Sequence, residues 1–184
     1  MSSTTDTAGH SPIDDFSQCH AGILGHLQLL GDLPELLAPA ARARRIAADA
    51  LGFFRDAVFE HHVEEEKELF PAVLASAVKG EERDKVQQLV DALTAEHRRV
   101  EATWAKLEPK LKAVAKGHDT DVDPADIRAL VETYQAHARF EEAVFLPLSQ
   151  TILGRNSNHM AALGVSLHMR HALPQVLERF GGRI

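Results

Sequence analysis

Two segments of the chain combine histidine and glutamate at the same spacing and end at a proline. Residues 61–71 read HHVEEEKELFP, and residues 137–147 read HARFEEAVFLP. When the two prolines are aligned, the first histidine of each segment and a glutamate four residues later coincide, and the match continues on both sides. This internal repeat predicts two equivalent helices of one bundle, each with a His-x-x-x-Glu motif. The matched pairs are His61 with Glu65 and His137 with Glu141.

The spacing places each histidine on the same helix face as its glutamate. Positions four apart in an α-helix lie within roughly 40° of each other around the axis. A carboxylate on a core-facing surface must be paired or bound to metal, because burying it alone is costly enough to force protonation. The repeated motif therefore predicts a metal site in the core. The other residues on the two faces are apolar or aromatic: Phe54, Val58, Leu69 and Ala72 around His61, and Leu130, Tyr134, Phe145 and Leu148 around His137.

Two further helices offer metal donors. The segment AEHRRVEATW contains a third His-x-x-x-Glu, with His97 on an apolar face and Glu101 four residues later. In the first helix His20 is preferred to His26, because its neighbours on the face are more uniformly apolar. His62 lies one position off the face of His61 and is predicted to be solvated or to support a ligand. The candidate metal ligands are His20, His61, Glu65, His97, Glu101, His137 and Glu141.

The number of donors fits a dinuclear site. Two metals with about six ligands each need about twelve coordination positions. The four histidines and a terminal Glu101 supply five, and Glu65 and Glu141 supply four if each bridges the metals. A bridging oxygen from solvent would use two of the remaining three positions. One position is then open for a small molecule, which is what oxygen chemistry at non-heme iron requires.

The helical period runs through most of the chain, and no stretch predicts a convincing strand. Short connections between long helices favour an all-α fold, an up-down-up-down four-helix bundle over residues 13–153. A disordered tail (1–12) precedes it, and a C-terminal helical extension (154–184) packs on it. Asp123 before Pro124 is typical of a helix start. The predicted helices cover about 13–30, 40–77, 82–115 and 124–153, with breaks at GDLP, KGEER and KGHDTDVDP.

Composition narrows the function classes. The chain has 184 residues, one domain's length, and its net charge of −7 gives no electrostatic footprint for nucleic acid or an anionic membrane. The start lacks the basic and apolar regions of a signal peptide, and no apolar run approaches membrane length. A single cysteine, Cys19, excludes an internal disulfide and fits a reducing compartment. We therefore expect a soluble cytoplasmic protein.

The combined pattern resembles the hemerythrin-like family, the HHE cation-binding domains. It consists of a histidine on helix one, His-x-x-x-Glu ending in LFP on helix two, a histidine on helix three and His-x-x-x-Glu-Glu on helix four, over roughly residues 13–150. The resemblance implies an oxo- or hydroxo-bridged di-iron centre, with two irons per chain, that meets oxygen, nitric oxide or peroxide. It further implies the ligand roles: His20 and His61 on one iron, His97 and His137 on the other, and Glu65 and Glu141 as bridges.

Two departures from the oxygen-carrying hemerythrins bear on function. Glu101 stands where helix three of those proteins has a second histidine, and Glu141 comes four residues after His137, where they have an aspartate after five. Added carboxylate should stabilise ferric iron. The leading hypothesis is a di-iron protein that binds oxygen or related small oxidants for sensing, storage or scavenging, rather than an enzyme. The alternatives are an enzyme of peroxide or nitric-oxide detoxification or ferroxidase type, and a zinc-binding structural interaction bundle.

Besides a diatomic or peroxide ligand, two kinds of partner are possible from the sequence: a second copy of the chain in a homodimer, or a regulatory protein. The C-terminal segment contains several histidines and methionines whose spacings do not form one helical face. It is predicted to cap the bundle or form an oligomer rather than bind a second metal. These residues are His159, Met160, His168, Met169 and His171.

Overall fold

Residues 12–155 of the chain are described here, from a computed structural model. All regular secondary structure within this range is helical, which confirms the all-α class. No helix in this range combines the length and the apolar character needed to cross a bilayer. The predicted tail before residue 12, and the predicted C-terminal extension from residue 156 onward with its histidines and methionines, lie outside the described residues.

The chain divides into two compact units, Met1–Ala43 and Arg44–Ile184. The first unit contains most of helix α1, which runs from Pro12 to Phe53. The predicted break at GDLP is wrong, since Pro34 and Pro39 both lie inside α1. A proline removes one backbone donor but fixes φ near the helical value, and the surrounding leucines and alanines are strong helix formers. Both prolines nevertheless oppose helix continuation locally, because each also crowds the carbonyl four residues earlier.

The second unit contains three helical stretches, the first of which begins with the end of α1, and two of the three include π-helical turns. A π turn is one residue wider than an α turn and shifts every later side chain around the axis. The elements after α1 are π1 (Phe54–Val58), α2 (Phe59–Glu64), π2 (Glu65–Leu69), α3 (Phe70–Ser76), α4 (Glu81–Ala115), α5 (Pro124–Phe140), π3 (Glu141–Phe145) and α6 (Leu146–Leu153).

The turns between these stretches follow from local chemistry. Gly80 precedes α4 with φ 102°, and Gly117 follows it with φ 77°, values that favour glycine. After α4 the N–H of His118 bonds the carbonyl of Ala113 at 3.0 Å, which closes a Schellman-type C-terminus. The Asp123 side chain accepts a hydrogen bond from the N–H of Ala125 at 2.8 Å, which confirms the predicted N-cap.

Two of the π turns are equivalent in the internal repeat. π2 begins at Glu65 and π3 begins at Glu141, and each ends two residues before a proline, Pro71 or Pro147. A proline inside a helix cannot donate a hydrogen bond, and its ring crowds the carbonyl four residues earlier. A wider turn just before the proline relieves this crowding. In both repeats, the glutamate thus lies at the start of the π turn that the proline favours.

The π turns correct the predicted helix faces. After π2 the buried residues are Phe70 and Val73, not Leu69 and Ala72, which are only partly buried. After π3 Ser149 is buried at 3% exposure, whereas the predicted Leu148 is partly buried. The prediction extended a period of 3.6 residues through a turn that holds an additional residue. Beyond each π turn the buried positions are therefore displaced by one residue, whereas the predicted Phe145, the last residue of π3, is itself fully buried.

Two apolar clusters lie on either side of His97 along α4. The first includes Leu93 on α4 together with Phe70 and Phe145. The second includes Val100, Trp104 and Leu107, and the Trp104 ring stacks on Phe54 with centroids 3.8 Å apart. A layer of buried polar side chains lies at the level of His97, between these clusters: His62, Glu65, His97, His137 and Glu141.

We predict that Asp123→Ala destabilises the metal-free protein by about 1 kcal/mol, because the first turn of α5 loses its side-chain cap. Urea denaturation followed by circular dichroism measures this change. Asp121→Ala, in the same linker but two residues before the cap, is the matched control and should leave the unfolding midpoint unchanged. Equal midpoints for Asp123→Ala and the wild-type protein would contradict a stabilising cap.

Candidate metal centre

Three buried histidines from three helical stretches meet in the polar layer. His62 on α2, His97 on α4 and His137 on α5 are 1%, 0% and 2% exposed. One ligand nitrogen from each lies within 4.8 Å of the others. The His62 and His97 rings stack with centroids 3.9 Å apart, and the His137 ring meets the His97 ring at 74°. We call these three residues the histidine cluster.

The outer nitrogens of two of these rings are already engaged. Nδ1 of His97 lies 2.8 Å from Oε1 of Glu66, and Nδ1 of His137 lies 3.1 Å from Oε2 of Glu96. An ionised carboxylate accepts a hydrogen bond from Nδ1–H, which leaves the Nε2 lone pair available. A carboxylate in this position is what orients metal-binding histidines.

The inner nitrogens of the histidine cluster lack partners. Among residues 12–155, Nε2 of each of the three histidines is buried without a hydrogen-bond partner. An unsatisfied buried polar atom costs about 1–3 kcal/mol, so several at one point are unfavourable unless something binds there. Neutral imidazole nitrogens are good ligands for iron and zinc. The histidine cluster therefore fits a metal ion.

A second set of donors adjoins the first. His61, Glu65 and Glu141 each offer a ligand atom within 4.8 Å of the others, and we call them the carboxylate cluster. Nε2 of His61 lies 3.2 Å from Oε1 of Glu65, and the His61 side chain is 30% exposed. The two glutamate side chains are only 4% and 6% exposed. This cluster is thus buried on its carboxylate side and reachable from solvent beside His61.

The two glutamates reach from one cluster to the other. The second oxygen of Glu65, Oε2, lies 3.3 Å from Nε2 of His97, although outside hydrogen-bond geometry. Oε2 of Glu141 lies 3.7 Å from Nε2 of His137. Oε1 of Glu141 is buried without a hydrogen-bond partner in the described part of the chain. Glu65 therefore has one oxygen toward a histidine of each cluster, and Glu141 adjoins both clusters.

Burial and neighbouring charges shift the pKa values of these groups. Burial, together with the adjacent Glu65 carboxylate, raises the pKa of Glu141 to about 8. Burial and repulsion from His97 lower the pKa of His62 to about 3, so its ring is neutral at pH 7. Burial also disfavours charge on His97, but contacts with Glu65 and Glu66 outweigh this effect and raise its pKa. The polar layer thus holds protons that metal ions would displace.

Glu101 takes a different place from the one predicted. Arg98 Nη1 donates to both oxygens of Glu101 at 2.6 Å, and Glu101 Oε1 lies 3.7 Å from Nδ1 of His62. Glu101 belongs to neither donor cluster and instead faces the outer edge of one histidine.

The structure brings five of the seven predicted ligands into the two clusters: His61, Glu65, His97, His137 and Glu141. His20 lies in the first unit, as does its competitor His26, and both side chains are exposed there. Neither belongs to the two clusters of the described residues. Metal ligation by His20 therefore stays a prediction from the sequence.

Sequence reasoning missed His62, and π1 is the reason. The face of His61 was defined from Phe54 and Val58, which are the first and last residues of that π turn. The wider turn rotates the following helix by about one residue, so His62 rather than His61 enters the histidine cluster. The sequence feature that could have indicated His62 is the adjacent pair His61–His62, because a widened turn before the pair brings the second histidine to the core.

Three helical stretches that meet at a buried layer of histidine and glutamate define a helical metal-binding protein. The model of the hemerythrin HHE cation binding domain matches residues 11–149, and the chain belongs to this family. An uncharacterized protein of Haemophilus influenzae is 26% identical over 160 residues, which cover 83% of this chain and 90% of the relative. No solved structure matches the chain. The family implies a bound cation, with iron as the expected metal.

His62→Gln should remove about one metal ion per chain, because a site with three histidine ligands loses one of them. Metal analysis after dialysis of the loaded protein measures this. His118→Gln is the control, since His118 is exposed in the linker after α4. Full metal retention by His62→Gln would show that His62 is not a ligand.

Metal binding should release protons near neutral pH. With its pKa near 8, Glu141 keeps a proton at pH 7 in the metal-free protein, and a metal ion must displace it. Apparent affinity should therefore rise between about pH 6 and pH 8. By the same linkage the metal-free protein should lose stability as the pH rises toward 8, because only the folded chain holds this proton.

Calorimetric titration with a metal in buffers of different ionisation enthalpy counts the released protons. Glu142→Gln, a change at an exposed neighbour, should leave the number unchanged, whereas Glu141→Gln should lower it. The same number in both variants would assign the proton to another group.

Proposed function

We propose that the protein binds two iron ions between its helices and uses them to bind oxygen or a related small oxidant, nitric oxide or peroxide. The observation that carries the proposal is the position of Glu65, whose two oxygens face one histidine of each cluster at 3.2 and 3.3 Å. Glu141 reaches in the same way toward His137. Carboxylates in this position suit a pair of metals better than a single one.

The proposed ligands divide unequally between the two irons. The histidine cluster supplies three imidazoles to one iron, and with two bridging carboxylates it fills five of about six positions. The other iron receives His61 and the same two carboxylates, which leaves positions for a further ligand and a small molecule. Ligation by His20 in an up-down-up-down four-helix bundle over residues 13–153 stays a prediction from the sequence, and it would require α1 to break at the GDLP segment.

Binding of an oxidant, rather than turnover, is favoured by the ligand set. The prediction that Glu101 ligates a metal made the site rich in carboxylate, but the structure pairs Glu101 with Arg98 and adds the neutral ring of His62. Fewer negative ligands stabilise ferric iron less. The bound irons would supply electrons to the oxidant. Partial exposure of His61 leaves an approach from solvent, and the Tyr134 ring packs beside His62 and His137.

A structural zinc site is the second candidate. Three histidines, two of them with carboxylates on Nδ1, also make a suitable donor set for one zinc ion, and zinc binds such sites more tightly than ferrous iron. A single zinc ion at the histidine cluster would leave the buried carboxylates of Glu65 and Glu141 without a metal partner. We prefer two irons because these carboxylates then have partners.

Metal analysis and absorption spectroscopy of protein purified without added metal test the proposal. We expect about two irons per chain and a near-ultraviolet charge-transfer band that disappears on anaerobic reduction and returns in air. Glu65→Ala and Glu141→Ala should each lose the dinuclear centre, because a bridge disappears. His118→Ala should retain it.

The outcomes separate the hypotheses. Consumption of peroxide or nitric oxide far beyond the amount of protein would make the protein an enzyme rather than a carrier or sensor. One zinc ion per chain, with no spectral response to reduction, would favour the structural site. Unchanged metal content in both glutamate variants would contradict the bridging assignment.

A further inference from the structure

Each histidine of the histidine cluster has a glutamate at its outer nitrogen. Glu66 faces His97 at 2.8 Å and Glu96 faces His137 at 3.1 Å. Glu101 faces His62 at 3.7 Å. The Glu66 and Glu96 contacts are hydrogen bonds that orient the His97 and His137 rings, whereas Glu101 lies beyond hydrogen-bond distance of His62.

Two consecutive arginines of α4 hold the glutamates in turn. Arg98 donates from Nη1 to both oxygens of Glu101 at 2.6 Å and from Nη2 to Glu66. Arg99 lies 3.5 Å from Glu96. Arg98 therefore contacts the partners of two histidines at once, and its contacts are closer than that of Arg99.

We propose that Arg98 is a positioning residue of the metal centre, which fixes the His97 ring by clamping Glu66 and holds Glu101 near His62. The inference rests on the proposed function, because it requires a metal at the histidine cluster. A guanidinium presents several donors in a rigid planar fork, so one side chain can hold two carboxylates in fixed directions. A lysine ammonium has the charge but lacks this geometry.

The exposure of these side chains argues against a mainly structural role. Arg98 is 53% exposed, and Glu66 and Glu101 are 25% and 32% exposed. Ion pairs at such positions add little to folding stability. Groups that hydrogen-bond a ligating histidine typically change metal affinity by about 10–100-fold, and Arg98 holds one such group, Glu66. Effects on stability and on metal retention should therefore separate.

The test is the rate at which iron(II) leaves the loaded full-length protein when excess chelator is added without oxygen. Arg98→Gln should release iron about 10–100-fold faster than the wild-type protein. Arg98→Lys should behave like Arg98→Gln, because the fork is lost. The thermal midpoint of the metal-free variants should stay within about 2 °C of the wild type. Arg55→Gln is the matched control, since Arg55 is exposed and pairs with the adjacent Asp56.

A double-mutant cycle tests the route of the effect. If Arg98 acts on His97 through Glu66, Arg98→Gln should add far less to release in a Glu66→Gln background than in the wild type. In the metal-free protein, nitrogen-15 shifts of the His97 ring should show loss of the Nδ1–H form in Arg98→Gln. Wild-type release rates in Arg98→Gln or Arg98→Lys, or fully additive effects with Glu66→Gln, would overturn the proposal.

Failure of this inference can be distinguished from failure of the proposed function. A wild-type protein that binds no iron would remove both. A wild-type protein with two irons, together with unchanged release from Arg98→Gln, would overturn only the role of Arg98.

Discussion

The structure depends on a layer of buried imidazoles and carboxylates placed between two apolar clusters. Fully burying a large apolar side chain contributes about 1.5–3 kcal/mol, and residues such as Phe70, Phe145 and Leu107 do so on either side of the layer. The same packing excludes water from the polar atoms between them. Unpaired Nε2 atoms at His97 and His137 therefore cost folding free energy, and a bound metal ion would remove this cost.

Two π-helical turns of the backbone position the carboxylates of this layer. Two π turns begin at the repeated glutamates, Glu65 and Glu141, and each is followed by a proline. The widened turn accommodates the proline and rotates the apolar residues beyond it onto the core face. One local irregularity, used twice, thus places a carboxylate in the polar layer and continues the core below it.

Glutamates surround the histidines of this layer, and arginines contact those glutamates from outside. Glutamates at the outer nitrogens of His97 and His137 set which nitrogen of each ring carries the proton. The six residues EHRRVE of α4 contain one histidine of the cluster, the glutamates that face the other two, and both arginines. A short segment of one helix therefore influences all three rings.

The sequence by itself determined the helical class, the cap at Asp123 and the repeated His-x-x-x-Glu motif, because these depend on residues within a few positions of one another. It also predicted Glu65 and Glu141 as the central carboxylates, and both are buried in the polar layer; their role as metal ligands stays a prediction. Only the tertiary structure decided that His62 joins His97 and His137, and that Glu101 pairs with Arg98. These outcomes depend on a π turn, which shifts the register, and on distances between helices, and spacing along one chain contains neither.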